Sequence, residues 1–469
     1  MPDPITDGRK ASINAALDSL ACGRFEADLR RRVAWPTVSR GDQRPVEILG
    51  YLTDEMIPLY RRLGFDCTLL HHDSAPGPFL LAQRHESPSL PTVLMYAHGD
   101  VVPGIDEHWS PGLSPFEMRE RDGHWYGRGT ADNKGQHSVN LAALEAVLAV
   151  RGALGFNLTY LVEMGEEAGS PGLEAICAQH AGRLAADVLI ASDGPRVSLG
   201  APTIFLGSRG GIDIHLELVA RTGFHHSGNW GGLLANPGAE LAHALAALIG
   251  PTGECLVPEL TPGTIPAAVR AALRDVVIET APGDPALDPW WGARGLTQAE
   301  RVYAWSTLEV LEIEVGNLPN PLNAIPPVAR ARLQLRHPVG VDQDAVRPAV
   351  QRALDAAGHG RVRVRMEDEP GFPASRSDLD GPWVHFVAAS LSRTAGRAPV
   401  ILPNLGGSLP NAVFTDTLGL LTIWVPHSYP GCRQHGADEH LPIALAREGL
   451  ALMAGLFWDL GAEEVPSRR

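Results

Sequence analysis

Cysteine is scarce in this chain: Cys22, Cys67, Cys177, Cys255 and Cys432 are the five among 469 residues. They are scattered, odd in number and never in a Cys-x-x-Cys pair. That argues against a disulfide framework and a thiolate zinc site, and favours a reducing compartment. Long apolar runs are missing too, and none approaches the roughly 18 residues of a membrane span. Positive charge is in the minority, with 39 Lys plus Arg against 54 Asp plus Glu and a formal net charge of −15. Such a surface repels phosphate backbones, and no dense Lys/Arg stripe offsets it, so nucleic-acid binding drops out. The start, Met1 to Asp7, has no positive stretch followed by an apolar one, so no secretory signal is expected. The expectation is a cytoplasmic protein that binds neither nucleic acid nor membrane.

What is present has a globular balance, 44% hydrophobic and 20% charged. The length exceeds what one core normally absorbs, which predicts two domains. The first 200 residues alternate helical and strand patterns, as an α/β layered domain does. Leu17–Val33 and Ser138–Val150 have helical spacing; Thr92–Ala97, Asn157–Val162 and Asp187–Ala191 read as buried strands. Phe116–Tyr126 predicts a hairpin turning at Asp122-Gly123.

From Gly210 the pattern changes. Ile212–Val219, Leu308–Val315, Arg330–Arg336 and Arg361–Arg365 alternate as half-buried strands, with helical stretches Ala239–Ile249 and Asp342–Ala357 between them. This β-α-β-β-α-β order predicts a ferredoxin-like insertion. Gly253–Trp305, rich in Pro, Gly and Trp, reads as a long excursion within it. Past Pro370 the α/β style resumes with Trp383–Ala395, Gly419–Val425 and Ala444–Leu460. Residues near 100–200 and near 400–440 can then share one cleft.

Five acidic or histidine positions follow predicted strands or sit in Gly-rich turns, where open α/β sheets bind ligands. His98-Gly-Asp100 offers a ring nitrogen to a metal, and Asp100 could fix the ring's tautomer. Gly127-Arg-Gly-Thr-Ala-Asp132-Asn-Lys-Gly135 surrounds one carboxylate with three glycines. Asp132 replaces the third glycine of a dinucleotide fingerprint, and the segment follows a hairpin, so that reading fails. The plain alternative is a helix cap. Glu163-Met-Gly-Glu166-Glu167 sets two carboxylates side by side, one able to ligate a cation and the other to hold a proton. The plain alternative is an acidic first helical turn. Asp193 ends a strand, where turn residues are common. His435 lies in Gly431-Cys-Arg-Gln-His-Gly-Ala-Asp-Glu-His440; neither His-Glu-x-x-His nor a Gly-x-Ser-x-Gly elbow occurs.

Together these motifs resemble the family of two-metal amidohydrolases and peptidases that includes carnosinase, cytosolic dipeptidases, glutamate carboxypeptidase and acetylornithine deacetylase or succinyl-diaminopimelate desuccinylase. The resemblance spans about Leu17 to Leu460. It implies a phosphorylase/hydrolase-like α/β catalytic domain with a mixed sheet, residues 1–207 and 371–469. A ferredoxin-like α+β lid, residues 208–370, interrupts it and dimerises. It also implies two divalent ions per subunit, His98 and Asp193 holding one, Glu167 and His435 the other, and Asp132 bridging. With no cysteine ligands the donor set suits zinc, with manganese or cobalt as substitutes. Glu166 is implied as general base towards a metal-bridging water, Asp100 as the partner orienting His98, and the Asp132–Asn133 peptide as cis.

For the substrate, the resemblance implies that His226 reaches the partner subunit's site in a homodimer and stabilises an oxyanion. Arg336 would grip a carboxylate, joined by the Gly406-Gly407-Ser408 loop and by Asn323. The implied activity is hydrolysis of a peptide or amide bond next to a free carboxylate, dipeptidase- or carboxypeptidase-like, on a small peptide. N-acyl-amino-acid deacylation, or hydrolysis or deamination of another small molecule, uses the same residues. A metal-free binding protein on this fold would require lost ligands, and none is missing. Asp438 departs from the Asn common in relatives.

Overall fold

The computed structural model describes residues 4–41, 43–278, 280, 285–366 and 371–466. Eight strands form one mixed sheet in the order Asp66–Leu70, Phe79–Arg84, Asn157–Glu163, Thr92–His98, Val188–Ala191, Thr422–Trp424, Thr203–Phe205 and Val400–Leu402. Thr92–His98 runs parallel to both its neighbours. Along it Val93, Met95 and Ala97 enter one apolar cluster, while Leu94 and Tyr96 enter another. Burial on both faces explains why this segment is a continuous apolar run.

Helices Pro4–Ala21, Lys134–Arg151, Pro382–Ala395 and Ile443–Ala462 pack together over the first face. The last of them buries Leu450, Met453, Leu456 and Phe457 there. Each such side chain contributes about 1.5–3 kcal/mol. That burial ties residues after 371 into the same core as the first 200.

Between Thr203–Phe205 and Val400–Leu402 the chain builds a second sheet of four antiparallel strands. Their order is Thr307–Val315, Val328–His337, Gly210–Val219, Arg363–Met366. Helices Pro237–Leu248 and Gln343–Ala356 share its core, where Ile212, Ile214, Leu216 and Leu218 alternate inward. On the other face Arg330 pairs with Glu217 and Glu314, and Arg332 with Asp213 and Glu312. This is the predicted β-α-β-β-α-β order. The boundary expected at 370 falls on residues 367–370, outside the described residues.

Two expectations need correction. The helical stretch Leu17–Val33 is two helices, Pro4–Ala21 and Arg24–Val33. They break at Gly23, whose φ of 76° belongs to the left-handed region that glycine enters freely. The excursion Gly253–Trp305 packs on the lid core only in its first part, through Val257 and Leu260. Its Ile265, Val269, Leu273, Ala299 and Tyr303 join the second cluster of the large sheet. Trp290 and Trp291 are exposed and meet edge to face. The hairpin turn is as expected, with φ of 52° at Asp122 and 75° at Gly123. No described helix is long and apolar enough to cross a membrane.

Candidate metal centre

The site lies beyond the carboxyl ends of three neighbouring strands. His98 closes Thr92–His98, Glu163 closes the next strand just before Glu166 and Glu167, and Asp193 follows Val188–Ala191. Asp132 arrives from the loop preceding helix Lys134–Arg151. His435 comes from the far end of the chain, in a loop where Arg433, His435 and Asp438 all adopt positive φ. For residues with side chains this conformation is uncommon.

Asp132 stands between the two histidines. Its Oδ1 lies 3.1 Å from His98 Nε2, and its Oδ2 lies 3.2 Å from His435 Nε2. His98 Nε2 also lies 3.5 Å from Asp193 Oδ2, and His435 Nε2 lies 3.1 Å from Glu167 Oε2. Two clusters of potential donors result, His98–Asp132–Asp193 and Asp132–Glu167–His435, with the atoms of each within 4.8 Å. The Asp132–Asn133 peptide is cis, as expected. The helix begins after Asn133, and no side chain caps it, so the capping alternative for Asp132 fails. Glu166 and Glu167 lie in one 3-10 turn, Glu166–Ala168, rather than opening an α-helix.

The electrostatics describe a site with surplus negative charge. Burial, followed by the charge of Asp132, pushes the Asp193 carboxyl up to about 7. Burial likewise raises Glu166 well above the usual range, with Glu167, Asp193 and Asp132 adding to it against His98. Hydrogen bonds to Asp132 and Glu167 push His435 up to about 11. Burial alone would lower His98, yet Asp100 and Asp132 hold it well above its ordinary value. Asp193 Oδ2 is buried with no hydrogen-bond partner. An orphaned carboxylate oxygen beside an imidazole, in a cluster of acids without cysteine, fits a divalent cation with mixed nitrogen and oxygen ligands.

Asp100 does more than face His98, whose Nδ1 lies 3.1 Å from its carbonyl and 3.4 Å from its carboxylate. The carboxylate accepts the N–H groups of Glu166 and Glu167 at 3.2 and 3.1 Å and the Ser39 hydroxyl at 2.6 Å. It therefore fixes the turn that carries both glutamates.

Glu439 is the main residue that sequence reasoning passed over. It is fully buried, accepts the N–H groups of Gly129, Ala131 and Asp132, and pairs with Arg128 at 2.8 Å. Its position four residues after His435 was the available signal, but spacing alone does not reveal a contact with the glycine-rich loop. Asp438 accepts the Ser110 N–H at 2.8 Å and hydroxyl at 2.6 Å.

The cleft over the centre has a volume of about 860 Å³. Arg336, Gly407 and Ser408 line it together with Asp132, Glu166, Glu167, Asp193 and His435. Arg336 Nη1 donates to Ser408 Oγ at 2.6 Å, which joins two of the predicted substrate residues. The other two are elsewhere. His226 pairs with Ala324 beside Asn323, whose carbonyl accepts the Ser227 N–H. Both His226 and Asn323 are exposed on the lid, away from this cleft.

Residues 94–459 match the description Peptidase family M20/M25/M40. The chain belongs to this family. It is a metal-dependent hydrolase of peptide bonds, the class that the motifs implied. Among its relatives, a cysteinylglycine-S-conjugate dipeptidase of Corynebacterium striatum is 29% identical over 398 residues, 80% of this chain and 82% of that protein. A beta-Ala-His dipeptidase of Mus musculus is 34% identical over 184 residues, 39% of this chain and 37% of that one. The fold matches the crystal structure of human carnosine dipeptidase 1 with a TM-score of 0.82, covering 96% of this chain and 99% of that one at 22% identity. Family members share the catalytic domain with a mixed sheet and the lid seen here.

Proposed function

We propose that this enzyme is a dinuclear zinc dipeptidase, with manganese or cobalt as substitutes, cleaving a small peptide next to its free carboxylate. The observation that carries this reading is the orientation of Asp132, with one oxygen towards each histidine. His98 and Asp193 would hold one ion, Glu167 and His435 the other, and Asp132 both. When bound, two such ions supply Lewis-acid polarisation of the scissile carbonyl and an attacking water of lowered pKa. With the ions bound, Glu166 would take a proton from the attacking water and deliver it to the leaving amine, as base and then acid. Its raised proton affinity in a buried, carboxylate-rich turn suits both halves of the cycle. Asp100 holds His98 and the Glu166–Glu167 turn in register. Arg336, with Gly407 and Ser408, receives the substrate carboxylate in a charge-assisted pair.

The chain divides into a catalytic domain, 1–207 and 371–469, and a lid, 208–370. The lid makes the homodimer. Supporting this, Thr307–Val315 is an edge strand of the lid sheet, and Leu311, Ile313 and Leu318 are exposed along or just past it. His226 and Asn323 lie outside their own cleft, which suits a role in the partner's. Five free cysteines suit a cytoplasmic setting.

Metal content of the purified protein, followed by turnover of dipeptides against N-acetyl amino acids, tests the proposal. Two ions per subunit with dipeptide turnover support it. Turnover of acyl amino acids alone would make the enzyme a deacylase with the same centre.

A further inference from the structure

Arg209 is a buried cation that forms no close ion pair among the described residues, Glu309 attracting it only from a distance. It stands where the chain leaves the large sheet, one residue before the lid strand Gly210–Val219, with 7% of its surface exposed. Its Nε–H donates to the Gly406 carbonyl at 2.7 Å and its Nη1–H to the Trp305 carbonyl at 3.2 Å. Its backbone N–H donates to the Leu405 carbonyl at 3.2 Å. Neither side-chain donor meets a carboxylate. A guanidinium taken out of water without a carboxylate at hydrogen-bond distance is costly, so its retention calls for a reason.

The turn that Arg209 holds is the one that lines the cleft. Ser208, the preceding residue, exchanges hydrogen bonds at 3.2 Å with the backbone of Leu409. Ser208 and Arg209 thus grip both ends of Leu405–Leu409. Behind the turn stands Val302: a Cβ at Gly406 would come within 2.9 Å of its Cγ1. In front, Arg336 donates to Ser408 Oγ from a position opposite Gly211 in the lid sheet. A Cβ at Gly211 would lie 3.0 Å from both Arg336 Nη1 and Ser408 Oγ, so glycine there leaves the space open. One turn therefore sits between two guanidinium groups, and among the described residues no acid pairs with either side chain.

We infer that Arg209 is a positioning residue that sets selectivity for substrates ending in a free carboxylate. It anchors the Gly406–Ser408 turn from beneath and adds a second positive charge under the place where that carboxylate binds. The inference rests on the carboxylate-binding role proposed above for Arg336 and Ser408. It also gives the excursion Gly253–Trp305 a purpose. Helix Gln298–Tyr303 and Trp305 supply the backing and one of the two carbonyls that Arg209 bridges. Arg209 touches no reacting atom, so its loss should act on binding and leave the chemical step alone.

The test compares a dipeptide with its C-terminal amide, on metal-loaded enzyme, for wild type, Arg209→Met and Arg209→Lys. Losing a charged hydrogen-bond donor should raise KM for the free acid about tenfold or more in Arg209→Met, with kcat nearly unchanged. The preference for acid over amide should fall by the same factor. Arg209→Lys keeps the charge but cannot span both carbonyls, and should fall between the two. If Arg209→Met does not fold, Gly406→Ala presses the same turn against Val302 and should raise KM for the acid selectively. Unchanged acid preference in folded Arg209→Met and Gly406→Ala, or equal loss of kcat on both substrates, overturns the inference. A wild type with no preference for the acid overturns the carboxylate reading itself, a separate and recognisable failure.

Discussion

Glu439 accepts the backbone N–H of Asp132 at 3.1 Å, although 307 residues separate them. The same carboxylate takes the N–H groups of Gly129 and Ala131 and pairs with Arg128. It thereby fixes the glycine-rich loop against the loop that carries His435. Removing it should loosen Asp132, the proposed bridging carboxylate, without deleting a proposed ligand. Glu439→Ala is expected to weaken metal affinity about 10–100-fold, the usual effect of losing a partner behind a ligand. Competition against a chelator, on protein shown to be folded by circular dichroism, measures this. Wild-type affinity in that variant would reduce Glu439 to a loop staple.

Glu166→Gln removes a proton acceptor but no proposed ligand. Turnover should drop about 10²–10⁴-fold while elemental analysis finds the metal content unchanged. Asp132→Ala should instead lose metal, because both proposed ions would depend on its oxygens. Near wild-type turnover in Glu166→Gln would assign the base elsewhere.

His226 offers a test of shared sites. His226→Ala should lower kcat more than it raises KM, and the protein should sediment as a dimer. Mixing His226→Ala with Glu166→Gln under conditions of subunit exchange should restore part of the activity. In the mixed dimer one cleft keeps Glu166 and receives an intact His226 from the partner. Verified exchange without recovery, or a monomer at working concentration, defeats the model.

Glu163 carries a pH prediction. Tyr96 and Ser170 both donate to its Oε1, while Oε2 is buried without a partner. Burial, followed by the charge of Asp100, pushes the carboxyl up to about 7. The folded protein then holds a proton that the unfolded chain releases nearer 4.5. This contribution to stability is fully present below 4.5 and is lost as pH rises through 7. Glu163→Gln lacks the titration. The variant should gain on wild type by on the order of 1–3 kcal/mol between pH 5 and pH 8, read from denaturation midpoints at each pH. A constant difference across that range would contradict the assignment.

The sequence by itself determined the element order. Thr92–Ala97 read as buried because both its faces meet apolar neighbours, and the lid strands Gly210–Val219 and Val328–His337 alternated because only one of theirs does. Thr307–Val315, expected half-buried, is instead exposed along most of its length at the sheet edge. Both patterns depend on local periodicity, which one sequence carries in full. The glycine-rich loop and the paired glutamates were legible as motifs for the same reason. Their chemistry requires fixed residue types at short spacing. The helix break at Gly23 was not legible from periodicity, since apolar spacing continues on both sides of a single left-handed residue.

Tertiary structure alone decided which distant residues meet. Nothing in the spacing of His435 or Glu439 shows that they face Asp132, because contacts across 300 residues follow from how sheet and helices pack. The same holds for Arg336 meeting Ser408 across the cleft, and for Arg209 bridging Gly406 and Trp305. The excursion read as lid from its place in the chain, yet only Val257 and Leu260 join the lid core, while Ile265 to Tyr303 pack on the large sheet because their apolar side chains find a partner surface there. Chain order constrains local geometry, while burial of apolar surface and pairing of buried charge choose among long-range contacts. That choice places Glu439 behind Asp132, and keeps His226 out of its own cleft.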